Sequence, residues 1–160
     1  MFTYLPNNDP QKVQEADVEI LTSGARNVVQ YANQPSNDKT GQIIPQATVN
    51  GANTGAIDWT EWVVYRVDWI PKLTTWYVNG ESVAHIAFQA PRDPAGLIVN
   101  IWRDGGSWTG NMTVYDEAYL QIQWIEVAYN ASGPTSGIGK KKRADSGSAG
   151  LLERGRQSRV

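Results

Sequence analysis

The chain contains no cysteine, so neither a disulfide framework nor a zinc-thiolate site organises it, and nothing about its redox compartment follows. It lacks any run approaching the roughly 20 apolar residues of a membrane span. The opening Met1-Phe2-Thr3-Tyr4-Leu5-Pro6 lacks the basic and apolar regions of a secretory signal. No stretch carries a long helical period, which argues against a helix bundle. Histidine occurs once, at His85, inside Val83-Ala84-His85-Ile86-Ala87, where it reads as a surface or packed strand residue rather than a catalyst. Phenylalanine occurs twice, against seven tryptophans and seven tyrosines. Rings with a polar edge suit half-wet surfaces such as sugar-binding clefts, although a ring in a sheet protein can equally be core.

What is present fits one domain: 160 residues, 41% of them hydrophobic, with fifteen glycines and eight prolines. The net charge of −2 hides a split, because residues 1–130 carry 7 basic and 14 acidic side chains while 131–160 carry 7 basic and 2 acidic. From Ala131 onward Gly, Ser and basic residues dominate without apolar periodicity, so 131–160 is expected to be a disordered tail. Its Lys140-Lys141-Lys142-Arg143 run reads as a solvated cluster, with no nucleic-acid partner assigned.

Residues 1–130 read as strands separated by turns, with β-rich runs at 13–22, 62–69, 74–78, 82–88, 97–102 and 119–129. Asn79-Gly80 predicts a two-residue type I′ hairpin, since both residues tolerate positive φ. Leu97-Ile98-Val99-Asn100-Ile101-Trp102 is nearly unbroken in apolar character, which suits a strand covered on both faces. The expected class is all-β, an antiparallel β-sandwich.

In Val13-Gln14-Glu15-Ala16-Asp17-Val18-Glu19-Ile20-Leu21 the period of two puts Ala16, Val18 and Ile20 on one strand face and Glu15, Asp17 and Glu19 on the other. Three like charges on one face repel, so folding alone gives no reason for the row. Glu15 and Glu19 start about 13 Å apart along the backbone. Their side chains can lean towards the roughly 5–5.5 Å carboxyl separation of retaining glycosidases. Asp17 between them can hold a proton on one neighbour and orient the other. An acidic solvent-facing strand and a calcium site built from oxygen ligands remain open as alternatives.

Glu15-Ala16-Asp17-Val18-Glu19 resembles the Glu-x-Asp-x-Glu signature of family 16 glycoside hydrolases, in the unbulged form of the lichenase and xyloglucan transglycosylase branches. Collinear segments extend the resemblance over residues 1–130. Asn27-Val28-Val29-Gln30-Tyr31-Ala32-Asn33 is similar to the family's Gln-x-x-Asn strand, and Trp62 to Trp69 to its Phe-His-x-Tyr-x-x-x-Trp strand, with Val63 where many relatives carry histidine. Thr75-Trp76-Tyr77-Val78-Asn79-Gly80, then Asn100-Ile101-Trp102 with Gly105-Gly106-Ser107-Trp108, then Gln123 to Tyr129 follow in the family's order. The overall character resembles uncharacterised fungal members.

The resemblance implies a concanavalin A-like jelly roll and a retaining β-glycanase acting on cell-wall β-glucan, with Glu15 as nucleophile, Glu19 as acid/base and Asp17 as the orienting acid. It further implies amide contacts from Gln30 and Asn33 to sugar hydroxyls, a weaker cleft role for Tyr31, and stacking on pyranose rings by Trp102 and Trp108. Trp102 also suits a core position, because it ends an apolar strand. The partner is then a β-linked polysaccharide; no cofactor, metal, nucleic acid, membrane or specific protein partner is called for. Transglycosylation, non-catalytic carbohydrate binding and a structural wall role stay open as alternatives. Only residues 1–14 precede the acidic row, so the sequence reads as the C-terminal half of the family's domain, from a fragment or an incomplete gene model. The sequons Asn111-Met112-Thr113 and Asn130-Ala131-Ser132 fit a secreted or cell-wall parent protein.

Overall fold

Alternating side chains need a ladder partner to become a strand, and residues 1–98 find one repeatedly. The computed structural model describes residues 1–52, 57–129 and 153–156. The described chain is almost entirely β and antiparallel, and it divides into a unit of residues 1–116 and a unit of residues 117–160.

In the first unit, β1 (Phe2–Leu5), β2 (Gln14–Glu19), β3 (Val28–Gln34), β4 (Thr48–Ala52), β5 (Tyr65–Ile70), β6 (Leu73–Val78), β7 (Glu81–Ile86) and β8 (Gly96–Ile98) form two sheets. One has the order β4-β3-β2-β1-β8, the other β5-β6-β7. The sequence anticipates β2 and β5 to β7 within one to three residues at each end. It does not anticipate β1 or β4, whose short mixed runs become strands by pairing along β2 and β3.

The β6–β7 connection is the hairpin that Asn79-Gly80 demands, with φ of 49° and 90° and Val78 opposite Glu81. Asn79 does a second job. Its N–H donates to Val64 O at 2.9 Å and its Oδ1 accepts from Val64 N at 3.0 Å, which pins the lead-in to β5 against the turn.

The sheets face each other through one apolar cluster. Ala16 and Val18 of β2 and Val29 and Tyr31 of β3 meet Trp76 and Val78 of β6 and Ala84 and Ile86 of β7. Tyr31 and Trp76 form its centre, ring centroids 5.8 Å apart and tilted by 42°. At the edge of this dry layer, buried Asn33 reaches from β3 to the opposite sheet. Its Nδ2 donates to Ile86 O at 3.3 Å and Phe88 O at 3.0 Å, and its Oδ1 accepts from Thr74 Oγ1 at 2.9 Å. An amide whose donors and acceptor are all used is the arrangement that makes a buried polar side chain tolerable.

Two expectations are corrected beyond residue 96. The run 97–102 is a strand only to Ile98 and is not covered on both faces: Leu97 is 42% and Ile101 52% exposed. Residues 99–116 join no ladder among the described residues, and apolar character without a partner does not make a strand. In the second unit, the run expected at 119–129 is a strand only over β9 (Glu126–Tyr129), which pairs with β10 (Glu153–Arg156). The tail expected to be disordered, 131–160, lies outside the described residues except for β10, as does the sequon at Asn130.

Candidate active site

The acidic row stands on the face of β2 that points away from the core. Buried Ala16 and Val18 fix which way the strand faces, and Glu15, Asp17 and Glu19 follow from the pleat. Cross-strand register gathers their neighbours: Tyr4 is paired with Glu15 and Phe2 with Asp17 on β1, while Gln34, Ala32 and Gln30 of β3 lie opposite Glu15, Asp17 and Glu19 in turn. Asn50 and Thr48 of β4 extend the same face beyond Gln30 and Ala32.

The three carboxyls are unequal. Asp17 is buried, at 2% exposure, whereas Glu15 and Glu19 are half-buried. Burial, reinforced by the Glu15 charge, pushes Asp17 up to about 8, against the stabilising bond that Gln34 Nε2 donates to Asp17 Oδ2 at 2.9 Å. Burial and the Asp17 charge push Glu19 up to about 7. Burial also raises Glu15, but there a side-chain hydrogen bond from Asp17 pulls the other way. All three carboxyls therefore hold their protons more tightly than free acids do, and the Asp17 and Glu15 side chains are hydrogen-bonded to each other. Environments that separate the proton affinities of neighbouring carboxyls equip a site for paired nucleophilic and acid/base work.

The other predicted site residues divide. Gln30 shares the acidic face, opposite Glu19, but its Oε1 is buried and finds no hydrogen-bond partner among the described residues. Tyr31 and Asn33 do not share it. Both point into the core, Tyr31 against Trp76 and Asn33 into the inter-sheet bonds, so neither lines the acidic face as expected. The pleat is the reason: residues 30 and 31, or 30 and 33, have opposite parity and cannot face the same way on a regular strand.

Trp102 and Trp108 are 51% and 43% exposed on the segment after β8, so the core alternative for Trp102 is not what the structure shows. The turn bearing Trp108 is internally tied. Asp104 Oδ1 accepts from Gly106 N at 2.7 Å and from Thr109 Oγ1 at 2.5 Å. His85 is exposed.

Sequence reading missed Gln34, Phe2 and Tyr4. For Gln34 the signal was available, because it follows Gln30 by four residues and so shares its face. The β1 pair became visible only through register. Among the described residues no group of three His, Asp or Glu side chains is gathered to hold a metal ion. The acids are strung along one strand rather than wrapped around a point.

Over most of its length the chain bearing this row is similar in sequence to known proteins. The chain is 26% identical to a β-glucanase of Bacillus subtilis (strain 168) over 128 residues, 78% of this chain and 49% of that protein. It is 25% identical to a β-glucanase of Bacillus licheniformis over the same shares. To the clotting factor G alpha subunit of Tachypleus tridentatus it is 29% identical over 129 residues, 69% of this chain and 18% of that protein. The chain thus spans about half the length of the curated β-glucanases it matches. No family model and no solved structure matches it.

Proposed function

We propose that this chain carries the catalytic strand of a retaining β-glycanase acting on β-glucan-type polysaccharide. The observation that carries this reading is the unequal row itself: three carboxyls on one face of β2, with the central Asp17 buried and held by Gln34 between half-buried Glu15 and Glu19, and burial raising the proton affinity of each. In the first step Glu15 attacks the anomeric carbon while Glu19 protonates the departing glycosidic oxygen, leaving a glycosyl ester on Glu15. In the second step Glu19, now a carboxylate, takes a proton from water as that water displaces Glu15 from the sugar. Asp17 steadies the nucleophile through its hydrogen bond, and Gln30 offers its amide at the Glu19 end of the face. The exposed rings of Trp102 and Trp108 supply stacking surface for pyranose rings. All the chemistry is carried by carboxyls and water, with no cofactor.

A second sugar hydroxyl in place of water would make the same intermediate the start of a transglycosylation. Incubation with β-glucan and a labelled oligosaccharide acceptor separates the two: elongated labelled products mark a transferase, and shortened sugars alone mark a hydrolase. Non-catalytic carbohydrate binding is a second class of reading, favoured by the solvent-exposed Trp102 and Trp108. The deciding experiment compares wild type with Glu15→Gln on β-glucan. Release of reducing ends by the wild type, lost by at least about a thousandfold in the variant, supports the catalytic reading. Equal release by both would remove Glu15 from the mechanism, and β-glucan retention without any release would leave a binding protein. A secreted or cell-wall setting is proposed with this reading, supported by the exposed sequon asparagine Asn111.

A further inference from the structure

One polar side chain on the acidic face is held at both ends. Gln34 Oε1 accepts from the Ser36 backbone N–H at 2.7 Å, and Gln34 Nε2 donates to Asp17 Oδ2 at 2.9 Å. The Ser36 N–H can only donate, so the amide oxygen must face it and the amide NH2 must face Asp17. The Cα partner of Asp17 on β3 is Ala32, while Gln34 is opposite Glu15. The small Ala32 side chain leaves the middle acid open to a diagonal reach from Gln34.

We propose that Gln34 is a positioning residue for the nucleophile: by occupying one oxygen of Asp17 with an N–H donor, it forces the proton of Asp17 onto the other oxygen, aimed at Glu15. This inference rests on the catalytic reading of the row and adds to it the group that decides where the central proton points. A carboxylic acid donates through one oxygen only. With Oδ2 already accepting from an amide, the O–H is left to Oδ1, and the carboxyl hydrogen-bonded to the Asp17 side chain is that of Glu15. Without Gln34 either oxygen could carry the proton, and Glu15 would lose its donor for part of the time. The ionisable groups around Asp17 are Glu15 and Glu19 on its own strand and the Met1 ammonium, which donates to Val18 O at 3.0 Å; on β1 its register partner is Phe2, and Tyr4 lies opposite Glu15. From β3 come only the amides of Gln30 and Gln34 and the methyl group of Ala32, so no charge on β3 substitutes for the Gln34 dipole.

The test is site-resolved carboxyl titration by NMR on the full 160-residue chain, comparing wild type with Gln34→Met and Gln34→Glu. Loss of the donor should raise the titrations of both Asp17 and Glu15 by about half a unit or more in Gln34→Met, with a smaller change at Glu19. Gln34→Glu has nearly the shape of the wild-type side chain. It reads the same effect should the methionine variant fail to fold, with a larger rise because a second carboxylate now faces Asp17. Titrations of Asp17 and Glu15 that stay in place in a folded variant would overturn the proposal. Activity gives an independent reading. If wild type cleaves β-glucan, the acid limb of kcat/KM should move to higher pH by the same half unit, with kcat down about tenfold and KM within about twofold. Cleavage with an unmoved limb rejects the positioning role and leaves the catalytic row standing. A wild type that never cleaves rejects the catalytic reading, and the titrations alone then judge Gln34.

Discussion

The two faces of β2 and β3 are made from the same few residues taken alternately, yet they obey different rules. On the inner face Ala16, Val18, Val29 and Tyr31 are dry, and the one amide there, Asn33, has its donors and acceptor satisfied. On the outer face burial is partial, three acids repel one another, and the Gln30 Oε1 is left without a partner among the described residues. Trp76 Nε1, packed against the inner face from β6, also lacks a hydrogen-bond partner among the described residues, so the two faces differ in charge rather than in hydrogen bonding: the inner face carries no carboxyl, and the outer face is strained electrostatically. Strain of that kind persists in a folded protein only when the rest of the structure over-determines it, and it concentrates where function needs it. The contrast is therefore measurable as stability, because changes to the inner face should harm folding and changes to the outer face should leave it unharmed or improve it.

The largest effects belong to the inner face. Trp76→Ala would empty the centre of the inter-sheet cluster and should destabilise the first unit by about 4 kcal/mol in urea unfolding. Asn33→Leu should cost about 3 kcal/mol, because it strands the Ile86 and Phe88 carbonyls and the Thr74 hydroxyl in a buried setting. A loss below about 1 kcal/mol for Asn33→Leu would mean that water reaches these groups and that the inner face is not dry.

On the outer face the sign reverses and depends on pH. Asp17 and Glu19 bind their protons more tightly folded, at about 8 and about 7, than the ordinary carboxylate values of the unfolded chain. Their contribution to stability is fully present below about pH 4 and is lost as pH rises through 7 and 8. Asp17→Asn imitates the protonated acid, since its carbonyl can accept from Gln34 and its NH2 can donate to Glu15. At pH 8.5 this variant should be more stable than wild type by about 2 kcal/mol, with the gap closing towards pH 4 and a flatter profile between. A variant that tracks wild type at every pH would show that Asp17 is already a carboxylate in the fold, and the proton-sharing account of the row would fail.

These faces were legible in the sequence to different depths. Period two separated Glu15, Asp17 and Glu19 from Ala16 and Val18 without any structure, because both sets lie within one strand. Applied as strictly to Val28–Gln34, the same rule would have set Gln30 and Gln34 on the acidic face and Tyr31 and Asn33 in the core. The Gln-x-x-Asn resemblance groups Gln30 with Asn33, which the pleat puts on opposite faces of the strand. Phe2 and Tyr4 were beyond reach for a different reason: which strand borders β2, and in which register, is fixed by long-range pairing that local pattern does not encode. The segment after β8 shows the converse error. Its apolar run promised a strand, but apolar character specifies burial, and Ile101 and Trp102 are half exposed without a ladder partner among the described residues.

The smallest effect is the sharpest test of the contrast, because it asks whether the outer face gives up stability at a single atom. Gln30 lies opposite Glu19, and its side chain is only partly exposed. Its Oε1 is shut away from solvent with no hydrogen-bond partner among the described residues, a state that costs part of that carbonyl's hydration. Leucine at this position keeps the bulk near Glu19, discards the unpaired oxygen and suits a strand no worse. Gln30→Leu should therefore gain about 0.5 kcal/mol in urea unfolding at pH 6 while weakening retention on β-glucan, the pattern of a residue kept for binding rather than for folding. A loss of stability instead would mean that the amide of Gln30 is bonded to Glu19 in solution. In that case the Glu19 end of the row, like the Asp17 end, would be held by a glutamine from β3.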